Sequence, residues 1–148
     1  MKSFKRILVP TDFSSSSVAA LDIALSLAKA FEAELVLLHV WEVPVYPYPV
    51  PVTGSGEMAI AIERAAMKQL ETELARAQKD LPRTKSVLTM GSPWQEILDK
   101  SKQLQADLIV MGTHGRRGFS HVLLGSVAEK TVRLAEVPVL TVHGPKAD

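Results

Sequence analysis

Cysteine is missing from all 148 residues, which excludes disulfides, thiolate zinc sites and cysteine nucleophiles. A surplus of charge is missing too. The formal net charge is +1, so nothing points to a bulk electrostatic partner such as DNA or an anionic membrane. No apolar run approaches the length of a membrane span. The opening Met1-Lys2-Ser3-Phe4-Lys5-Arg6 lacks the apolar stretch and small-residue cleavage site of a signal peptide. Two phosphate-binding signatures are absent as well. No Gly-Lys-Ser/Thr follows any glycine cluster, and Gly-x-Gly-x-x-Gly does not occur. With 47% hydrophobic and 22% charged residues, the composition is that of a soluble globular protein. The length suits one domain over residues 1–148 with a sizeable core, and a cytoplasmic location is the default expectation.

What is present is organised around residues 111–127, M-G-T-H-G-R-R-G-F-S-H-V-L-L-G-S-V. An apolar run, Leu108 to Met111, leads in, and a helical pattern from Val127 leads out. Strand, glycine-rich loop, helix is the order that builds an anion pocket. Gly112, Gly115 and Gly118 let backbone amides approach a ligand, and Gly125-Ser126 opens a helix whose unpaired N–H groups and positive dipole end favour phosphate. Arg116 and Arg117 lie nearby in sequence.

The rest of the chain alternates strands and helices. Ile7-Leu8-Val9 reads as a central strand, stopped by Pro10-Thr11-Asp12. Ser14 to Ser17 supply candidate N-caps for a helix running to about Phe31, with Val18, Leu21, Leu25 and Ala28 on one face. Glu34 to Val40 is a second buried strand. Val43 to Val52, with four prolines, forbids helix and central strand and reads as an extended surface connector or a flap over the ligand. Helix resumes near Glu57, where Met67, Leu70, Leu74, Ala77 and Leu81 trace an apolar stripe that Pro82 ends. Lys85 to Met90 is more polar, as an edge strand would be. Ser92-Pro93-Trp94-Gln95 reads as a helix start, with Ser92 as cap and Gln95 completing a capping box; Trp94 is expected to pack against the sheet. Asp107 to Met111 is the fourth strand, Ser126 to about Leu134 the fourth helix, and Val137 to Val142 the last strand.

Five strands alternating with four helices predict a single doubly wound parallel α/β sheet with helices on both faces, Rossmann-like. Ligands of such sheets sit beyond the carboxyl ends of strands, where strand order reverses. Spatial order 3-2-1-4-5 brings Pro10-Thr11-Asp12 and the glycine loop to one crevice.

Three segments resemble the universal stress proteins of the UspA superfamily, in their ATP-binding branch. They are Ile7-Leu8-Val9-Pro10-Thr11-Asp12-Phe13-Ser14, the spacing Gly112-x-x-Gly115 followed after nine residues by Gly125-Ser126, and Val137-Pro138-Val139-Leu140-Thr141-Val142. The resemblance spans the chain in the same order and implies the adenine nucleotide alpha hydrolase-like sheet of order 3-2-1-4-5. It also implies a homodimer through Val137–Val142, and ATP in the inferred crevice. By position, Pro10, Thr11 and Asp12 line the adenosine part, the Val40 backbone meets the adenine edge, Met111 packs on the base and Gly112 approaches the ribose. Thr113 and His114 follow in the loop. Gly115, Arg116, Gly125, Ser126 and Val127 surround the phosphates. Asp12 instead, or also, holds an accompanying Mg²⁺ or Mn²⁺.

No general base is evident, so the sequence favours a nucleotide-binding regulator of stress response with slow or no hydrolysis. A slow ATPase, or a nucleotide-gated protein docking on a transporter or signalling partner, is the alternative. A response-regulator-like phosphoacceptor needs an aspartate after strand three; Thr89-Met90-Gly91 stands there. His39 is expected at a strand end, and His121 and His143 have no motif around them.

Overall fold

The computed structural model describes residues 3–45, 47–49, 55–114 and 124–145. Five strands form one parallel sheet in the order β3-β2-β1-β4-β5, with β1 at Arg6–Pro10, β2 at Glu34–Trp41, β3 at Lys85–Met90, β4 at Leu108–Gly112 and β5 at Val139–Val142. The helices are α1 (Ser15–Phe31), α2 (Ser55–Asp80), α3 (Pro93–Gln103) and α4 (Ser126–Leu134). The expected 3-2-1-4-5 α/β architecture is therefore present. The last strand is shorter than the apolar run suggested, beginning at Val139.

Side chains alternate across a strand, and the core divides accordingly. Ile7 and Val9 of β1, Leu35 and Leu37 of β2, and Leu108 and Val110 of β4 meet Leu21, Leu25 and Ala28 of α1 and Leu70 and Ala77 of α2. Leu8, Val36, Leu38, Ile109 and Met111 point the other way, onto Ile97 of α3 and Ala128 of α4. Registers such as Ile7 opposite Leu35 and Leu108 keep each layer level. Burying each large aliphatic side chain is worth about 1.5–3 kcal/mol. The central strands are apolar on both faces because helices cover both.

α1 starts where Ser14, in an extended conformation, accepts the Ser17 amide on its side chain, a serine N-cap as anticipated. α3 starts at Ser92 with Pro93 in its first turn, but Ser92 makes no side-chain cap, so the expected capping box with Gln95 does not form. The first turn is held instead by the Glu96 amide on the Ser92 carbonyl, and the Glu96 carboxylate accepts from Thr89 Oγ1 at 3.1 Å. Trp94 is half-buried, with the Lys130 ammonium of α4 5.3 Å from its ring centroid, a contact that ties α3 to α4.

The apolar stripe of α2 is also revised. Leu70, Ala77 and Leu81 are buried and Leu74 is half-buried, but Met67 is exposed. The remaining inward positions are Ala66 and a carboxylate, Glu73, only 8% exposed. Of the proline-rich segment, Val43, Val45 and Tyr48 are exposed, as a surface connector requires; residues 46 and 50–54 lie outside the described residues.

Candidate functional site

The carboxyl ends of β1 and β4 are neighbours, and the chain ties them together there. The hydroxyls of Ser14 and Ser16, at the start of α1, both donate to the His114 carbonyl just beyond β4. Gly112 sits directly under that helix start. A Cβ built on it would lie 2.2 Å from Ser16 Oγ, 2.8 Å from Ser16 C and 2.9 Å from the Ser17 amide. The glycine is therefore demanded by packing of α1 against β4, whatever else approaches it.

On the β4 side, the Gly125 amide donates to the Thr113 carbonyl at 2.6 Å, and the Thr113 amide donates to Val142 of β5. The start of α4 is thereby pinned beside the end of β4. Gly125 is the N-cap residue, with φ −68° and ψ 166°, and supplies no side-chain cap. The first-turn amides of α4 thus lack a capping side chain at their own N-cap, which leaves that end suited to an anion. Gly115, Arg116 and Arg117 lie outside the described residues.

Strand alternation sorts the remaining candidates onto two sides. Val40, Met111 and Val127 share one apolar cluster, on the α3–α4 side, and Pro10 follows Leu8 on that same side of β1 by alternation. Together they make an apolar wall. Thr11 turns the other way. It is 5% exposed and its hydroxyl donates to Glu73 on α2, 3.2 Å from each carboxylate oxygen. The same Oγ1 accepts the Phe13 amide at 3.0 Å, and the Thr11 carbonyl lies 2.7 Å from His39 Nδ1. His39 is within β2 and stacks at a tilt on Phe13, with ring centroids 4.4 Å apart.

Asp12 shapes the β1–α1 turn. Its Oδ1 accepts from the Ser14 amide at 3.0 Å and from Ser17 Oγ at 2.7 Å. Phe13 follows at φ 66°, in the left-handed region that bulky side chains seldom occupy. Among the described residues no three histidine, cysteine, aspartate or glutamate side chains gather to hold a metal ion. A cation held with nucleotide phosphates needs only one or two carboxylates from the protein; Asp12 lies just beyond the carboxyl end of β1.

Three features had no motif to announce them. Glu73 occupies an inward position of α2, where its own burial pushes its carboxyl above the usual range; the Thr11 hydrogen bond and Arg76 oppose the rise, while the charges of Asp12 and Asp22 add to it. Ser16 is buried against Gly112. Thr113 Oγ1 lies 3.0 Å from His114 Nδ1 and 3.3 Å from His143 Nδ1, so His143 does have partners at this end of the sheet. The helical phase of Glu73 in the stripe Leu70-x-x-Glu73-x-x-x-Ala77 was the one legible signal.

Among the described residues no helix is long and apolar enough to cross a membrane. A universal stress protein of Methanocaldococcus jannaschii is 35% identical over 98% of this chain and 85% of its own length. The universal stress protein UspA of Lactobacillus plantarum superposes with a TM-score of 0.85 at 27% identity, covering 96% of this chain and 99% of that one. Another universal stress protein, solved in complex with cAMP, superposes with a TM-score of 0.65 at 26% identity, over 96% and 98% of the two chains. The sequence profile of the universal stress protein family matches residues 3–143. Sequence profile, relatives and sheet order thus agree, and the chain belongs to the universal stress protein family.

Proposed function

We propose that this protein is a dimeric regulator that binds an adenine nucleotide, ATP with Mg²⁺ or Mn²⁺ foremost, across the carboxyl ends of β1 and β4. The observation that carries the reading is the hydrogen bond from Gly125 to Thr113, which brings the start of α4 against the apolar wall of Val40, Met111 and Val127. A base needs an apolar wall with a few polar groups at its edge, and a phosphate needs converging amides; here the two are adjacent. In this reading Pro10 and Met111 flank the base, and the Val40 peptide meets its polar edge. Asp12 serves the cation, Gly112 borders the ribose, and Thr113 and His114 lead into a phosphate loop of Gly115, Arg116, Gly125, Ser126 and Val127. Thr11 contributes by holding the turn, since its hydroxyl is committed to Glu73. The cAMP complex of a relative supports an adenine ligand and leaves the number of phosphates to experiment.

Hydrolysis in this reading is slow or absent. The Asp12 Oδ1 that would orient a water already accepts two hydrogen bonds, and Glu73 meets Thr11 on the α1–α2 side of the sheet, opposite the apolar wall.

β5 is an edge of the sheet. Ile109 donates to the Pro138 carbonyl and Thr113 to the Val142 carbonyl, so the even-numbered backbone groups face β4. By alternation Val139 and Thr141 present theirs outward. A second copy placed antiparallel about Leu140 would pair Val139 with Thr141 in both directions and hide the edge. The donor that Pro138 lacks would have pointed to β4, so the outer edge is intact.

Calorimetry with ATP–Mg²⁺ and with cAMP tests the ligand. Saturable heat with either is expected. No heat from either, together with no nucleotide in the purified protein by mass analysis, would overturn the reading.

A further inference from the structure

We infer that Glu73, on α2, is a positioning residue of the nucleotide site, acting through Thr11 on the turn that carries Asp12. For its ligand half this rests on the proposed function; its structural half stands alone. A threonine hydroxyl has one proton to give and lone pairs to receive. At Thr11 the Phe13 amide occupies the receiving side, so the proton goes to Glu73, midway between its two oxygens. The carboxylate thus fixes the rotation of the Thr11 hydroxyl, and the hydroxyl in turn holds the Phe13 amide. The Thr11 carbonyl is fixed independently, by His39 Nδ1. Phe13 is held at φ 66°, a conformation that needs support from its surroundings. The next amide along, Ser14, meets Asp12 Oδ1. From Glu73 to Asp12 the chain of contacts is continuous.

A purely structural account of Glu73 is the weaker one. Its neighbours on the inward face are Ala66, Leu70 and Ala77, and a leucine in that phase would pack without the desolvation that a buried carboxylate incurs. The charged groups that act on it are Arg76 on its own helix, Asp22 on α1, and Asp12 just beyond β1; His39, within β2, meets the Thr11 carbonyl. Arg76 is drawn partly to Asp22, at 2.9 Å. Among the described residues, the hydrogen-bond partner of the carboxylate is the Thr11 hydroxyl.

The test compares full-length Glu73→Leu, Glu73→Gln and Thr11→Val with the parent, by amide hydrogen exchange without ligand and by calorimetry with ATP–Mg²⁺. In Glu73→Leu the Phe13 amide should exchange roughly three- to tenfold faster, while Leu37 and Ile109 in the sheet centre stay protected, and ATP affinity should fall by a similar factor. Glu73→Gln keeps an acceptor and should restore both. Thr11→Val removes the same link from the other side and should match Glu73→Leu, which covers the case of a Leu variant that does not fold. Unchanged exchange at Phe13 in Glu73→Leu and Thr11→Val would overturn the inference, and so would faster exchange with unchanged affinity. A parent that binds no nucleotide would remove the proposed function, and exchange at Phe13 would then decide by itself whether Glu73 sets the turn.

Discussion

The Gly125 amide donates to the Thr113 carbonyl at 2.6 Å, so the two ends of the glycine-rich loop meet beside β4. The backbone of Gly125 is extended, at φ −68°, a conformation open to any residue. Glycine is therefore not required there by its own dihedrals. If phosphate lies against this helix start, Gly125→Val should abolish ATP binding while the thermal midpoint of the ligand-free protein falls only slightly. Ser126→Ala keeps the amides and should weaken binding by roughly 0.5–1.5 kcal/mol. A folded Gly125→Val that binds ATP as the parent does would move the phosphates elsewhere.

Gly112 should behave in the opposite way. Its Cβ would collide with backbone atoms of Ser16 and Ser17 as well as the Ser16 hydroxyl, and trimming that hydroxyl leaves the backbone clash in place. Gly112→Ala is expected to cost about 1–3 kcal/mol or more in the ligand-free protein, measured by urea unfolding, and Ser16→Gly in the same chain should not restore it. A normal urea midpoint for Gly112→Ala would show that α1 is freer to move off β4 than its packing implies.

Substitution can separate the turn-holding contacts of Asp12 from the cation role proposed for it. Asp12→Ala removes the acceptor of the Ser14 amide and Ser17 hydroxyl and should destabilise the fold by roughly 1–3 kcal/mol. Asp12→Asn keeps an oxygen for those donors and loses only the charge. It should unfold near the parent's midpoint yet bind ATP–Mg²⁺ more weakly, with cAMP binding little changed. Equal loss of both ligands in Asp12→Asn would argue against a cation at this carboxylate.

Glu73 makes stability depend on pH with a defined sign. Burial, its largest influence, raises the folded-state pKa above the ordinary value of 4.5, so the folded protein holds that proton more tightly than the unfolded chain. The favourable contribution is complete below pH 4.5 and is lost as pH rises through the higher folded value. Glu73→Gln cannot titrate, so its stability relative to the parent should improve between pH 4 and pH 7. Parallel urea melts at the two pH values measure this; an advantage that shrinks toward neutrality would mean the carboxylate is better solvated than its 8% exposure suggests.

Leu140 is 38% exposed on the edge strand, at the centre of the proposed self-pairing. Leu140→Lys places two like charges across the two-fold axis and should give a monomer by sedimentation at micromolar concentration with unchanged circular dichroism. A monomeric parent would refute the pairing itself.

The succession of strands and helices was legible because each central strand is an uninterrupted apolar run and burial on one or two faces imposes such patterns directly on sequence; the order 3-2-1-4-5 came instead from bringing Pro10-Thr11-Asp12 and the glycine loop to one crevice and from the family resemblance. The spacing of Gly112, Gly115 and Gly125-Ser126 pointed to a phosphate loop, since close backbone approach admits few residue types. Other points depended on which groups met in three dimensions. Gly112 is as consistent with a ligand as with a helix above it until Ser16 is placed against it. Thr11 reads as part of the pocket until alternation turns its hydroxyl to α2. The phase of Glu73 marks it as inward but names no partner, Ser92 looks like a side-chain cap, and His143 has no motif around it. Local pattern determined the elements and the end of the sheet where a ligand would sit, because periodicity and glycine spacing are properties of neighbouring residues. Only the tertiary fold decided what each side chain there touches, because those contacts join residues as distant in sequence as Thr11 and Glu73, and no local preference encodes such a pairing.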